Sequence, residues 1–259
     1  MLLENNNAVI YGAGGAIGGA VARAFAREGA KVFLAGRTLG KLDSVAKEIS
    51  AAGGTAETAQ VDALDERSVE KHIVEVAKKA RGIDVSFNAI GMEDVQGTPL
   101  IEMSLERFSH PITIATRTQF LTAKAVAPHM IKKGSGVIMM ITATPARMGF
   151  PLVGGFSVAC AAMEGFSRSL ATELGPHGVR VICVRSAGSP ESIADTLDVH
   201  AAGNRVTREE FIASLKEMTL LKRLPSLADV GNVSVLMASD YAGSITGTVA
   251  NMTCGQIVD

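Results

Sequence analysis

Ala8-Val9-Ile10-Tyr11-Gly12-Ala13-Gly14-Gly15-Ala16-Ile17-Gly18-Gly19 is the stretch on which the fold turns. Four apolar residues run into five glycines in eight positions, and then into apolar residues at helical spacing, Ile17, Val21, Ala24 and Phe25. A strand, a glycine turn and a helix in that order point backbone N–H groups and a helix N-terminus at a dinucleotide pyrophosphate, with no Cβ in its way. The spacing is not Gly-x-Gly-x-x-Gly, because Ile17 stands at the third glycine. It matches Gly-x-x-x-Gly-x-Gly, with Gly12 first, Ala16 in the middle place and Gly18 last. Close helix–strand packing explains Gly18 alone, so Gly12, Gly14, Gly15, Ala16, Ile17 and Gly18 are read as a cofactor turn.

Outward from this turn, short apolar and β-branched runs recur at Ala8–Tyr11, Lys31–Ala35, Ala56–Val61, Ile83–Phe87, Gly136–Ile141 and Val179–Val184. They read as buried strands. Segments of helical periodicity lie between them, for example Val69, Ile73, Val76 and Ala77, and Gly29 and Gly53-Gly54 close two helices as C-caps. Such alternation predicts an α/β chain: one Rossmann-type doubly wound domain over residues 1–259, with about seven parallel strands and helices on both faces. One stretch breaks the rhythm. Ser186–Arg208, with Gly188, Pro190, Gly203 and His200, follows the sixth strand, where an open parallel sheet has its ligand crevice. Residues 186–215 are therefore expected to cover a substrate.

The chain's 25 Lys and Arg against 26 Asp and Glu leave a formal charge of −1, so nucleic-acid binding by bulk electrostatics is not expected. Zero Trp and two Tyr argue against an aromatic carbohydrate or base-stacking surface. Cys160, Cys183 and Cys254 are too few and too far apart for a disulfide framework or a zinc cluster, so no metal and a reducing, cytoplasmic setting are expected. No signal peptide is recognisable, and no apolar run reaches the roughly 18 residues of a membrane span, so no membrane partner is expected.

Several spaced motifs carry a resemblance to the short-chain dehydrogenase/reductase family over nearly the whole chain. Beyond the glycine turn, Val61-Asp62-Ala63 is similar to the family's adenine-contacting segment. Asn88-Ala89-Ile90-Gly91 resembles a worn Asn-Asn-Ala-Gly motif. Leu224–Val230 and Ala238–Gly247 resemble the closing helix and final strand. By this resemblance Asp62, Ala63, Asn88, Ala89 and Ile90 join the cofactor site, and a homotetramer or homodimer is implied. Its interfaces would use the long helices of residues 104–133 and 153–174, through faces such as Phe120, Leu121, Ala125 and Met163, Phe166, Leu170, which would serve equally as internal core.

Where an acid would hold the adenosine ribose hydroxyls, this chain has Gly36, Arg37 and Thr38, with Lys41 one turn on. A guanidinium can grip a 2′-phosphate through two charge-assisted hydrogen bonds, so the expected cofactor is NADP(H).

The family's catalytic positions are another matter. The resemblance implies a Tyr acid, a Lys four residues later, a Ser about 13 residues before the Tyr, and an Asn. Here these positions hold Phe156, Cys160, Ala143 and Ala115. Phe156 has no proton to give, and a neutral thiol cannot lower a phenol pKa. Positioned acid catalysis contributes roughly 10²–10⁴-fold, so ordinary ketone reduction is expected to be weak. Thr142, Thr144, Ser157 and His200 are the candidate substitutes as proton donors, although each has a bland structural reading. Two functions stay open: a divergent oxidoreductase acting on an apolar carbonyl, enone, imine or quinone, and a silent NADP(H)-binding sensor or partner protein. A cofactor-independent lyase, isomerase or cyclase is a third, weaker reading.

Overall fold

The strands are β1 (Asn7–Tyr11), β2 (Lys31–Gly36), β3 (Thr55–Gln60), β4 (Val85–Asn88), β5 (Gly136–Ala143), β6 (Val179–Ser186) and β7 (Thr248–Met252). The helices are α1 (Ala16–Arg27), α2 (Leu39–Ala51), α3 (Glu66–Ala80), α4 (Leu105–Lys133), α5 (Phe156–Leu174), α6 (Ala194–Gly203), α7 (Arg208–Glu217) and α8 (Leu227–Ala238). The structure is a computed structural model and describes residues 1–258; Asp259, the end of the expected domain, lies outside the described residues.

The strands form one parallel sheet in the order β3-β2-β1-β4-β5-β6-β7. Side chains alternate between its faces, so each strand feeds two cores. Ile10, Leu34, Phe87, Met139 and Val184 pack on one face beneath Val21 and Phe25 of α1 and Val230 and Val235 of α8. Val9, Tyr11, Phe33, Met140 and Val181 pack on the other beneath Val69 and Ile73 of α3, Val126 of α4 and Met163 of α5. Each of these aliphatic side chains contributes about 1.5–3 kcal/mol by burial. This is the Rossmann-type, doubly wound architecture expected from the strand–helix rhythm. Because the strand order reverses between β1 and β4, the crevice opens at the carboxyl end of β1.

Three local expectations need correction. β3 is an edge strand with no buried residue, because β2 covers only one of its edges and α2 only part of a face. β4 begins at Val85, since Ile83 and Asp84 form its approach; the Asp84 carboxylate accepts from the Asn7 amide at 2.6 Å. The stretch 186–208 is not all loop: it contains α6 and the first residue of α7. Thr207 caps α7 through a reciprocal bond with Glu210, a Thr-x-x-Glu signal present in the sequence. Leu197 and Leu215 of these helices form a small core of their own with Leu224, packed against Phe150 and Phe211.

The long helices use most of their apolar faces internally. Leu121 and Met163 are buried, while Phe120 stands 51% exposed and meets Phe166 edge-on. No helix among the described residues is long and apolar enough to cross a membrane.

Candidate functional site

A cleft of about 250 Å³ opens where the ends of β1, β2, β3 and β4 converge. From the turn after β1 it takes Gly12, Gly14 and Gly15; from the end of β2, Gly36, Arg37, Thr38 and Lys41. Asp62 and Ala63 enter after β3, and Ala89, Ile90 and Glu93 after β4. Residues far apart in sequence are thus gathered along one cleft. Ala16 and Ile17 open α1 behind the turn. Asn88 lies buried below it, donating from Nδ2 to Thr122 Oγ1 at 3.0 Å and accepting the Ile90 amide at 3.0 Å, so it shapes the loop after β4.

The glycines divide into two groups, and packing accounts for more of them than the sequence reading allowed. A Cβ on Gly18 would sit 2.3 Å from the Gly12 carbonyl oxygen, and one on Gly12, at φ +73°, would sit 2.5 Å from that of Ala89. A Cβ on Gly14 would meet Lys41 Cβ at 2.9 Å. At Gly15 the nearest atom is 3.3 Å away, and this residue is the N-cap of α1. No side chain caps the helix there, and no acid lies in its first turn. The positive end of the α1 dipole therefore opens at Gly15, in the cleft wall, with no side-chain cap among the described residues.

Tyr11 is a second unanswered group in the cleft wall. Its ring is 1% exposed, and its hydroxyl has no hydrogen-bond partner among the described residues. Burial pushes the phenol's pKa well above its ordinary value, so it stays a neutral donor. The Tyr11 ring meets His72 of α3 edge-on at 5.9 Å on the sheet face opposite α1, so it is the open helix N-terminus at Gly15 that fits the anionic backbone of a nucleotide.

The four family positions also meet. Ala115 and Cys160 are buried in the same core cluster against which Ala143 and Phe156 pack, and the Ala143 backbone amide donates toward the Cys160 sulfur. Burial pushes the Cys160 thiol up to about 12, so it is no thiolate nucleophile at neutral pH. Together these four residues make an apolar corner.

Among the candidate substitutes, Thr142 is already engaged: its hydroxyl donates to Glu164 Oε1 at 3.1 Å inside the protein, so it is not free to act on a substrate. Thr144 is buried at the start of a 3₁₀ turn, and Ser157 donates to the Gly154 carbonyl at 3.4 Å. His200, on α6, donates from Nε2 to Gln96, whose amide donates on to Asp94 at 2.6 Å, and it stacks on Phe211 with centroids 5.7 Å apart. The segment carrying Asp94 and Gln96 is tied to the approach to Phe156, since the Gly97 amide donates to the Leu152 carbonyl at 2.7 Å. His200 is therefore the candidate that the tertiary structure sets on the covering segment and links to the loop after β4. Its pKa is lowered by burial, with Asp94 opposing.

Sequence reasoning missed Glu93. Its Oε1 lies 2.6 Å from Arg37 Nη2 and its Oε2 lies 3.5 Å from His110 Nε2. The hydrogen bond from Arg37 holds the carboxyl below its ordinary range. Nothing local marks Glu93 in the sequence, because its partner arrives from another strand. No group of three or more His, Cys, Asp or Glu side chains placed to hold a metal ion occurs among the described residues.

The family model described as enoyl-(acyl carrier protein) reductase matches residues 12–256. YxbG of Bacillus subtilis, named an uncharacterized oxidoreductase, is 30% identical over 247 residues, covering 95% of this chain and 88% of its own length. A protein of Beutenbergia cavernae, described as an NAD(P)-dependent gluconate 5-dehydrogenase and crystallised with NADP at low occupancy, superimposes with TM-score 0.83 at 28% identity, covering 98% of this chain and 96% of that one. An NAD⁺-bound xylitol dehydrogenase superimposes with TM-score 0.90 at 20% identity over 98% of both chains, a likeness of fold alone.

Proposed function

Since this chain belongs to the short-chain dehydrogenase/reductase family of oxidoreductases, we propose that it binds NADP(H) in the cleft and transfers hydride to or from an apolar carbonyl, enone, imine or quinone. The observation that carries this reading is the cleft itself: an uncapped helix N-terminus at Gly15, and Arg37 at the rim with no acid at the end of β2. The α1 amides would hold the pyrophosphate, Tyr11, Asp62 and Ala63 would line the base, and Arg37 with Thr38 would take the 2′-phosphate. A nicotinamide cofactor bound there supplies hydride transfer.

The chain's own contribution beyond that site is exclusion of water and an apolar wall. Ala115, Ala143, Phe156 and Cys160 offer no proton and no oxyanion donor from their side chains, so a substrate that needs little acid help suits them best. His200, fixed by Gln96, is the remaining side chain for proton exchange at the covering segment, and solvent is the other source. The silent-binder reading is favoured by the same four apolar residues, and one experiment separates the two. Bound NADPH should be oxidised in single-turnover mixing with at least one member of a panel of ketones, enones, imines and quinones. Tight binding with no oxidation by any of them would leave the binder.

Arg37→Ala is expected to weaken NADPH binding about ten- to a hundredfold in a fluorescence titration and to leave NADH binding nearly unchanged. Equal weakening of both would remove Arg37 from the 2′-phosphate. The reading includes a homotetramer or homodimer joined across α4 and α5, where Phe120 and Val158 stand 51% and 43% exposed. Light scattering should return two or four times the 26.9 kDa chain mass, and a monomer at micromolar concentration would refute it.

A further inference from the structure

We propose that Glu93 is a built-in competitor for the cofactor's 2′-phosphate and that it tempers the preference between NADP(H) and NAD(H) that Arg37 sets. The inference rests on the nucleotide reading of the cleft. It is carried by an ion pair in an unusual place. In the strand order β3-β2-β1-β4, the end of β1 and its glycine turn lie between the ends of β2 and β4. Arg37 leaves from β2 and Glu93 from the segment after β4, and both line the cleft. Their contact, Nη2 to Oε1 at 2.6 Å, therefore joins the two sides of the groove past the end of β1.

The local backbone indicates that this placement is imposed by more than the pair. Glu93 sits at φ +53°, in the left-handed region that a glutamate seldom adopts, and His110 of α4 reaches its second oxygen at 3.5 Å. The carboxylate is thus held from both sides opposite the guanidinium. Both partners are half-exposed, Arg37 at 66% and Glu93 at 45%, so the pair is screened and can be exchanged. A phosphate dianion with three acceptor oxygens can displace a single-bonded carboxylate from a planar guanidinium.

Two consequences follow for the cofactors. For a nucleotide bearing a 2′-phosphate, Arg37 is free only in the fraction of molecules whose pair is open, and the displaced carboxylate remains nearby as a like charge. Both effects reduce the apparent affinity. For a nucleotide with a free 2′-hydroxyl, nothing displaces Glu93, and the pair persists. Glu93 therefore narrows the discrimination that Arg37 alone would give.

The test is calorimetric titration of the full chain with 2′,5′-ADP and with 5′-AMP, which read the adenosine end without turnover. Glu93→Gln, which keeps the side chain's size and removes its charge, is expected to strengthen 2′,5′-ADP binding by roughly three- to tenfold and to leave 5′-AMP unchanged. In an Arg37→Gln background the gain from Glu93→Gln should shrink, since the competition needs both partners. Unchanged or weaker 2′,5′-ADP binding by Glu93→Gln, with wild-type binding intact, overturns the competitor role and leaves the cofactor reading standing. Weaker binding of both nucleotides overturns it in favour of a strap that closes over bound adenosine. A wild-type chain that takes up neither nucleotide overturns the cofactor reading and this inference together.

Discussion

Glu164→Ala is expected to lower the free energy of unfolding by about 3–5 kcal/mol, the range for breaking a buried ion pair from one side. Glu164 of α5 and Arg185 of β6 are 3% and 2% exposed, and they meet in a two-point fork, Nε to Oε1 at 2.8 Å and Nη2 to Oε2 at 2.9 Å. Thr142 adds a third bond to the same carboxylate, from the β5 position directly across from Arg185. Removing the carboxylate leaves the guanidinium's charge in the interior without this counter-ion and strips the Thr142 hydroxyl of its acceptor, and both losses carry desolvation costs. Glu164→Gln, which keeps the volume and some hydrogen bonding, should lie between wild type and the alanine variant. Urea unfolding followed by circular dichroism measures the effect as a lower midpoint at constant slope. A loss below about 1 kcal/mol would mean that the pair is no anchor between α5 and the sheet.

The second large effect is a gain. Restoring the family pattern with Ala143→Ser, Phe156→Tyr and Cys160→Lys is expected to raise NADPH-dependent ketone reduction by about 10²–10⁴-fold, the contribution of positioned acid catalysis. The geometry supports the substitutions as a set, because the Ala143 backbone amide donates toward the Cys160 sulfur and Phe156 stands one turn away at the start of α5. Position 160 is fully buried, which disfavours an ammonium, but the negative charge of Asp94 already acts on that position and would oppose the penalty. A Lys placed there is thus expected to keep its charge well enough to lower the pKa of a neighbouring phenol. The readout is cofactor absorbance with a simple ketone, beside a melting curve that confirms folding. A folded triple variant as inert as wild type would show that these residues do not face the substrate, and the alignment of the catalytic positions would be wrong.

The two predictions draw on different kinds of information. The expected vacancy of the catalytic positions is read from the residues themselves, since Phe156 and Cys160 stand at the spacing at which the family resemblance implies a Tyr and a Lys. The Glu164–Arg185 pair is not. Glu164 reads as one more polar residue of a helix, and Arg185 as a charge near a strand end. Only the register that sets Thr142 against Arg185, beneath α5, shows both to be interior. Thr142 shows the same divide: as a candidate proton donor it was reasonable from its neighbours, and its bond to Glu164 removes it.

The covering segment was partly legible. Its position after β6 followed from the strand rhythm, whereas its helices did not, although Thr207 and Glu210 carried a capping signal. Gly188, Pro190 and Gly203 drew attention to breaks, and the apolar spacing that makes Leu197 and Leu215 meet Leu224 is weak in each short helix taken alone. The edge strand β3 erred the other way, because its β-branched and small residues read as buried when nothing covers its outer side.

By itself the sequence determined the parallel α/β order, the glycine turn with its helix and the missing acid after β2. These are properties of periodicity, backbone freedom and residue chemistry, each written within a few consecutive positions. The tertiary structure alone decided that Glu93 meets Arg37 across 56 residues and that Glu164 meets Arg185 across 21. It also decided that packing presses hardest on Gly12, Gly14 and Gly18 of the turn and least on Gly15. A contact between distant residues depends on which strands become neighbours, and that order is set by burial of the whole sheet rather than by the chemistry of either partner.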